Sequence, residues 1–528
     1  MYIFLTGAPG SGKTTVAPHL AKLLGARTLE LDAIIEARAQ RTVAQIFERD
    51  GERAFRALER EALSALPEAF AWTVVSTGGG AVIDPANRER MRALGVVVGL
   101  EAELGTLARR TADGARPLLA DGDRQTRLST LVAERSDAYA DADIHVRTDA
   151  AEAREIARAI TAALVHGRGV DVPVGDAYRV HLHAGSLPEL GAIARQANLA
   201  RRVAVVTDAT LAKRLGKVAL RSLGDAGCEA VLIRVPAGER AKTPRVLDAL
   251  WRAFARAGLG RDDGVIALGG GSVGDLAGFA AATFARGLSW IVAPTTLLAM
   301  VDASIGGKTA VDLPEGKNLA GSFHDPAAVL TDPSLLTTLP DRQLRSGLAE
   351  VVKSAIIADA DLFASLERMA PALAARDEAG LYAAIVATAR VKASIVERDP
   401  REEGDRAALN LGHTLGHAIE AAGEFRRYTH GEAIALGMVF ACALAEETAL
   451  ARAGLRARVE TLLDALGLPV RTRVPDRAWA LLQRDKKRRM GRLRWVLPRR
   501  LGSVSLVESV PDAALRNAAA ALAPERTR

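Results

Sequence analysis

The sequence predicts an α/β protein of consecutive parts: a parallel-sheet domain with a phosphate loop, a second parallel α/β domain, and a mainly helical C-terminal region. Three observations predict this. The apolar run Tyr2-Ile3-Phe4-Leu5-Thr6 leads directly into Gly7-Ala8-Pro9-Gly10-Ser11-Gly12-Lys13-Thr14. The runs Val203–Asp208, Val231–Val235 and Val265–Leu268 alternate with Ala-rich stretches, the pattern of strands crossed over by helices in a parallel sheet. His413, His417 and His430 fall in a long apolar, Ala-rich stretch of helical composition.

Composition bounds the rest. The chain has 528 residues, 49% hydrophobic and 25% charged, which suits several ordinary globular domains. The net charge of +7 is assigned to sites for anionic small molecules, and no nucleic-acid partner is expected. The run Arg484-Asp485-Lys486-Lys487-Arg488-Arg489 would by itself be a solvated face or a nucleic-acid patch. Cys228 and Cys442 are the two cysteines and form no Cys-x-x-Cys pair. That fits a reducing, cytoplasmic setting. No leader peptide is expected, since the first residues run straight into a strand and a glycine-rich loop, and no membrane span, since no uninterrupted apolar run reaches 18 residues.

The first strand and its loop match G-x-x-x-x-G-K-[ST] at the strand-to-helix junction where that pattern works. Glycines let backbone N–H groups converge on phosphate oxygens, and the next helix adds the positive end of its dipole. Gly10, Gly12, Lys13, Thr14 and Thr15 are the expected ATP and Mg2+ residues, with Lys13 on the β- and γ-phosphates and the Thr14 hydroxyl on Mg2+. Downstream come Glu30-Leu31-Asp32, Gly51-Glu52, Phe55-Arg56, Glu59, Val74-Val75-Ser76-Thr77-Gly78-Gly79-Gly80, Arg116-Pro117 and Glu134-Arg135, with Tyr139 after them. In this order the set resembles shikimate kinase across essentially the whole segment. The resemblance implies a P-loop kinase domain and ATP-dependent 3-phosphorylation of shikimate. Asp32, Arg56, Gly78, Gly79, Gly80 and Arg135 match its shikimate-binding positions. Asp32 would orient or deprotonate the attacking hydroxyl, the arginines would pair with the carboxylate, and Arg116 matches the lid arginine on the ATP phosphates. Glu30 stands where the family has an aspartate, one methylene longer.

Residues 1–165 are the expected kinase domain and 166–174 a turn-rich linker. The glycine cluster Gly269-Gly270-Gly271-Ser272-Val273-Gly274-Asp275 ends a strand and suits a pyrophosphate, although it is not G-x-G-x-x-G. His413 and His417 stand four residues apart, hence on one helix face. Clustered imidazoles in an apolar segment point to a metal. Further motifs are Arg286-Gly287, Pro294-Thr295-Thr296, Val301-Asp302, Gly306-Gly307-Lys308, Gly316-Lys317-Asn318, Glu350-Val351-Val352-Lys353 and His430-Gly431-Glu432.

Together these are very similar to 3-dehydroquinate synthase over nearly all of residues 174–505. The resemblance implies a Rossmann-like NAD-binding domain at 175–334 and an α-helical zinc and substrate domain at 335–528. It implies conversion of a seven-carbon keto-sugar acid phosphate (DAHP) to 3-dehydroquinate with release of phosphate. Glu350, His413 and His430 match the Zn2+ (or Co2+) ligands, His417 a proton carrier, and Glu402 and Lys353 further catalytic positions. NAD contacts fall on Asp208, Glu239, Lys242, Gly269, Gly270, Gly271, Asp275, Thr295, Thr296, Asp302 and Lys317. Substrate contacts fall on Arg286, Lys308, Asn318, Lys353, Lys392, Arg406, Asn410 and Lys486. The sequence departs from the family pattern at Asp399-Pro400 and Asp405, which bears on the loop carrying Glu402. A homodimer through the synthase part is implied. Two other readings are a related sugar-phosphate cyclase of secondary metabolism and a non-catalytic scaffold.

Overall fold

A computed structural model of the chain describes residues 1–112, 123–199, 201–488 and 493–524, with backbone alone at 124 and 484–488. These residues divide into two units, Met1–Arg168 and Gly169–Arg528.

In the first unit Tyr2–Thr6 forms β1, buried at every residue. Arg27–Glu30 (β2), Thr73–Ser76 (β3), Gly95–Glu101 (β4) and Ile144–Arg147 (β5) complete a sheet of order β2-β3-β1-β4-β5. All neighbours are parallel. Continuous apolar strands such as Ile3-Phe4-Leu5 and Val96-Val97-Val98 suit a sheet covered on both faces. Parallel order places the carboxyl ends of β1, β2 and β3 along one edge, where ligands of open α/β sheets bind. The phosphate loop, Asp32 and Gly78–Gly80 follow those three ends directly. Helix α1 is Lys13–Leu23, α2 is Leu31–Ala39 and α3 is Val43–Ser64. A capping box starts α3: Gln45 N donates to Thr42 Oγ1 at 3.3 Å, and Thr42 N donates to Gln45 Oε1 at 3.0 Å. Gly51, at φ 79 and ψ 174, breaks the helix midway. Phe4, Ile35, Phe55, Val75, Met91 and Val97 share the core beneath.

The expected linker at 166–174 is corrected. The last helix of the first unit runs on as a π-helical turn, Ala163–Arg168. Val170–Val174 is then a strand, β6, paired antiparallel with β7 (Tyr178–Leu182). Val170, Val172 and Val174 are buried in alternation. The turn-like composition of this stretch concealed a period of two, and Pro173 is tolerated because β6 lies at a sheet edge.

The second unit continues with β8 (Arg202–Asp208), β9 (Glu229–Val235), β10 (Gly264–Gly269), β11 (Ser289–Pro294) and β14 (Ala328–Thr331) in a seven-stranded sheet of order β6-β7-β14-β11-β10-β8-β9. Past β6, every neighbour is parallel. Lys308–Leu313 (β12) and Gly316–Phe323 (β13) form a separate antiparallel pair, as do Trp495–Arg500 (β15) and Ser503–Val507 (β16). Helix α4 (Gly271–Thr283) starts at the carboxyl end of β10. The remaining helices include α5 (Asp341–Ala358), α6 (Glu378–Arg398), α7 (His413–Ala422) and α8 (His430–Glu447). Among the described residues, α6 is long and apolar enough to cross a membrane by composition, yet most of it is buried inside this unit.

Candidate active sites

In the first unit the phosphate loop lies against β4. A Cβ on Gly7 would come within 2.3 Å of the Leu100 carbonyl, and φ there is 137°. Only glycine lets the chain pass this close. Lys13 Nζ folds back over the loop and donates to the Gly7 and Ala8 carbonyls at 2.7 and 3.1 Å. Thr14 Oγ1 stands 3.3 Å from Ser76 Oγ at the end of β3. A cavity of about 830 Å³ opens here, lined by Lys13, Thr14, Glu30, Asp32, Gly78 and Arg110 among others. Burial raises the Asp32 pKa against the pull of Lys13. A carboxyl so placed is suited to take up a proton.

Arg56, Gly78–Gly80 and Arg135 meet behind Asp32. A Cβ on Gly80 would lie 2.2 Å from Arg56 Nη2, so the guanidinium packs flat on that turn. Arg135 Nη1 donates to the Gly79 carbonyl at 3.3 Å, and the Tyr139 hydroxyl donates to the same oxygen at 2.5 Å. Two further residues belong here that were not assigned roles from the sequence. Glu59 is fully buried and holds Arg56 Nη1 at 2.7 Å, while its Oε1 accepts no hydrogen bond. Its place three residues after Arg56 on α3 was the available signal. Arg110 donates to Thr148 O at 2.6 Å and to Gly10 O of the phosphate loop at 3.4 Å. A helical arginine with no motif around it gave no signal. Arg116 lies outside the described residues.

The second unit gathers the histidines with Glu350. Thr429 caps α8 in a capping box with Glu432, which sets His430 in the first turn. Gly412 at φ 78 precedes His413 and starts α7. Three helices are drawn together by glycines: a Cβ on Gly431 would come 1.9 Å from Ser346 O on α5, and one on Gly437 would come 1.9 Å from Gly412 O. Gly431 N donates to Ser346 Oγ at 2.9 Å.

The result is convergent. His413 Nε2 is 3.8 Å and His430 Nε2 is 3.6 Å from Glu350 Oε1. One nitrogen from each of His413, His417 and His430 lies within 4.8 Å of the others. The Nδ1 side of each candidate ligand is engaged: His413 Nδ1 faces Leu411 O at 3.1 Å, and His430 Nδ1 faces Glu420 Oε2 at 3.4 Å. Carboxylates and carbonyls commonly hold metal-binding imidazoles in this way. Glu350 Oε1 and Oε2 are buried and accept no hydrogen bond, although the Lys353 ammonium forms an ion pair with Oε2. A buried carboxylate whose Oε1 faces two oriented imidazoles, while Lys353 balances the charge at Oε2, fits a divalent ion such as Zn2+, whose common ligands are these donors.

Electrostatics follow from the crowding. Burial opposes charge on His430, yet Glu350 and Glu420 hold its pKa up at about 9. His413 is pushed well below the usual histidine range by burial and then by Lys353. His417 is pushed down to about 4 by desolvation among its neighbours and then by the charge on His430, although its ring is open to the cavity. That cavity, about 760 Å³, is lined by Phe323, Glu402, Asn410, His413, His417 and Arg494 among others.

Around it, Lys308 pairs with Glu402, and Asn410 Nδ2 donates to Glu402 Oε1 at 3.0 Å. Glu402 sits at φ 61. Asp399, which precedes the departure at Pro400, accepts from the amides of Glu403, Gly404 and Arg406 at 2.8–2.9 Å and shapes this loop. Arg406 is buried and donates to Gly306 O at 2.8 Å. Lys392 holds Asp302 at 2.7 Å. Burial opposes that carboxylate's charge, but Lys392 and Lys353 keep its pKa well below the usual range.

The expected NAD residues form a neighbouring group. Buried Lys242 contacts Asp275 at 2.7 Å, Glu239 at 3.9 Å and Asp312 at 3.9 Å. Burial lifts Asp275 to about 6 against the charge of Lys242. Gly269–Gly271 turn at the end of β10, where a Cβ on Gly270 would stand 3.1 Å from Thr296. Thr295 N donates to Gly269 O at 3.0 Å. This turn fits a dinucleotide pyrophosphate at the start of α4. Asn318, expected at the substrate, accepts from Lys242 of this group. Lys317 bridges the groups, 3.2 Å from Glu239 and 3.2 Å from Glu420. Asp208 caps the helix after β8, accepting from Thr210 N and Leu211 N at 2.7 and 3.1 Å. Arg286 is exposed in a turn at φ 68, and no described contact joins it to the cluster. The Lys486 side chain lies outside what is described. Glu420 went unassigned in the sequence; as the residue three after His417, it was overshadowed by the histidines.

Comparisons with known proteins find relatives of both units. A family model for shikimate kinase matches residues 9–165. Models for the N-terminal and C-terminal parts of 3-dehydroquinate synthase match 232–346 and 347–488. The 3-dehydroquinate synthase of Geobacter metallireducens is 45% identical over 64% of this chain and 94% of its own length. That of Symbiobacterium thermophilum is 44% identical over 64% and 96%. Among solved structures, a 2-epi-5-epi-valiolone synthase from Streptomyces hygroscopicus subsp. jinggangensis, with NAD+ and Zn2+ bound, is 30% identical, with a TM-score of 0.61, 67% of this chain and 99% of that one covered. The lower identity to that cyclase leaves the secondary-metabolism reading unfavoured. The chain belongs to the shikimate kinase family over its first unit and to the 3-dehydroquinate synthase family over its second.

Proposed function

We propose that one chain carries two shikimate-pathway activities at separate sites: ATP-dependent 3-phosphorylation of shikimate, and conversion of DAHP to 3-dehydroquinate with release of phosphate. The steps are not adjacent, so the fusion implies no direct channelling. The observation that carries the second reading is the convergence of His413 and His430 on the buried Oε1 of Glu350.

In the kinase unit, Lys13 would reach the β- and γ-phosphates of ATP, and the Thr14 hydroxyl would hold its Mg2+. Asp32 takes the proton of the attacking hydroxyl. Arg56 and Arg135 receive the shikimate carboxylate.

In the synthase unit, Glu350, His413 and His430 would hold Zn2+ or Co2+, and the Lys242 group with Gly269–Gly271 would hold NAD. When bound, NAD supplies reversible oxidation of a ring hydroxyl, and the metal polarises that oxygen as a Lewis acid. Glu420 and Leu411 O orient the two imidazoles. His417, neutral near pH 7 and facing the cavity, moves a proton beside the leaving phosphate. Lys308, Lys392, Arg406 and Asn410 bind the substrate anions, and Glu402 serves as a second acid–base group. Phosphate release from DAHP, measured with and without a chelator, tests the assignment. Release that survives full metal removal would overturn it.

Gly431→Ala is expected to weaken Zn2+ binding by roughly 10- to 100-fold, the size found when residues orienting metal ligands are lost. The added Cβ, 1.9 Å from Ser346 O, forces α8 away from α5 and carries His430 from Glu350. Metal titration checks this, with kinase activity in the same sample unchanged.

Separation is proposed at Arg168/Gly169 and not further along, because β6 is stitched to β7. Cutting there is expected to yield two soluble, active pieces. The second piece should form the homodimer, as light scattering on each would report. A monomeric synthase piece or an insoluble kinase piece would contradict this. A cytoplasmic setting is consistent with Cys228 and Cys442, both buried and unpaired.

A further inference from the structure

We propose that Glu52 is a built-in competitor at the kinase unit's anion-binding fork: its carboxylate occupies one edge of Arg56 until a substrate carboxylate displaces it. This rests on the reading of Arg56 and Arg135 as the substrate's carboxylate partners. Arg56 is engaged on two sides. Its Nη1 is held at 2.7 Å by Glu59 Oε2. Its Nε and Nη2, the pair that makes a two-pronged contact, both donate to Glu52 Oε1 at 3.3 and 2.9 Å. Arg135 Nη2 approaches the same oxygen, at 3.8 Å. Glu52 thus stands between the two guanidiniums as a substrate carboxylate would.

The two glutamates differ in what leaving costs. Glu59 is fully buried, so withdrawing it from Arg56 would strand a charge in the interior. The Glu52 side chain is 46% exposed, so its carboxylate exchanges Arg56 for water at little cost. The break in α3 at Gly51, φ 79 and ψ 174, immediately precedes Glu52 and frees it from continuous helix. Gly80 closes the fork from the other face, since a Cβ there would meet Arg56 Nη2 at 2.2 Å. The open approach to the paired donors is the one Glu52 fills. An anion gains by replacing Glu52. A neutral analogue offers the freed donors only an uncharged acceptor, too weak to displace Glu52, so Glu52 raises selectivity for acids while weakening the binding of the acid itself.

The test is Glu52→Gln in the full chain, which keeps the shape and removes the charge. The KM for shikimate is expected to fall by about 5-fold, the upper range for one partly exposed ion pair. The kcat, the KM for ATP and the binding of the uncharged methyl ester of shikimate are expected to stay unchanged. Glu52→Asp, which keeps the charge, should return the KM toward the wild-type value. Phosphate release from DAHP by the same sample reports that the chain is folded. An unchanged or raised shikimate KM, or an equal shift for the methyl ester, would show that Glu52 merely props the arginines. If the wild-type chain failed to bind shikimate at all, the kinase reading itself would fall with the proposal.

Discussion

His413→Ala is expected to abolish DAHP cyclisation, by roughly 10³-fold or more, while kinase activity stays within about 2-fold. The imidazole that disappears presents Nε2 3.8 Å from Glu350 Oε1. Its loss leaves a carboxylate and one imidazole, too few for the three protein ligands a catalytic Zn2+ site usually has. Metal content should therefore fall with activity. Metal analysis of the purified variant decides the matter: full occupancy would remove His413 from the ligand set. A pH dependence accompanies this in the wild-type protein. Without metal, His430 has a pKa of about 9, raised by Glu350 and Glu420 over the opposing effect of burial. Below that pH the ion must displace a proton from His430. Zn2+ affinity is then expected to rise with pH, by up to about tenfold per unit, and to level off near pH 9. Chelator competition at several pH values measures it, and a flat profile would argue that His430 is not a ligand.

Lys13→Ala is expected to reduce ATP-dependent phosphorylation of shikimate by roughly 10³-fold while leaving phosphate release from DAHP unchanged. The Lys13 ammonium is pre-positioned over the loop by the Gly7 and Ala8 carbonyls. It lines the 830 Å³ cavity. The loop's own conformation rests on Gly7 and Gly12, so the variant should stay folded, with an unchanged melting temperature for the first unit. Equal loss of both activities in a folded sample would contradict two independent sites.

The phosphate loop was readable from the sequence because its geometry is local. A strand, three glycines and a helix start are contiguous, and each residue's job depends on its immediate neighbours. The same holds for His413 and His417, one turn apart on α7, and for His430 behind its Thr429 cap. Contiguity also explains a failure. Val170–Val174 is a short alternation flanked by turn-formers, and its status as a strand depends on β7, which the segment itself does not announce.

What only the tertiary structure decided is which distant groups meet. Glu350, His413 and His430 come from α5, α7 and α8, and their convergence depends on Gly431 and Gly437 letting backbones approach to distances a side chain would forbid. Glu420 behind His430, Lys317 between the two groups, Asn318 on Lys242 and Glu59 beneath Arg56 were settled in the same way. Their positions come from packing between elements far apart in the chain. The physical reason is that a motif encodes its own backbone, whereas the field around a charged group is made by whatever the fold packs against it.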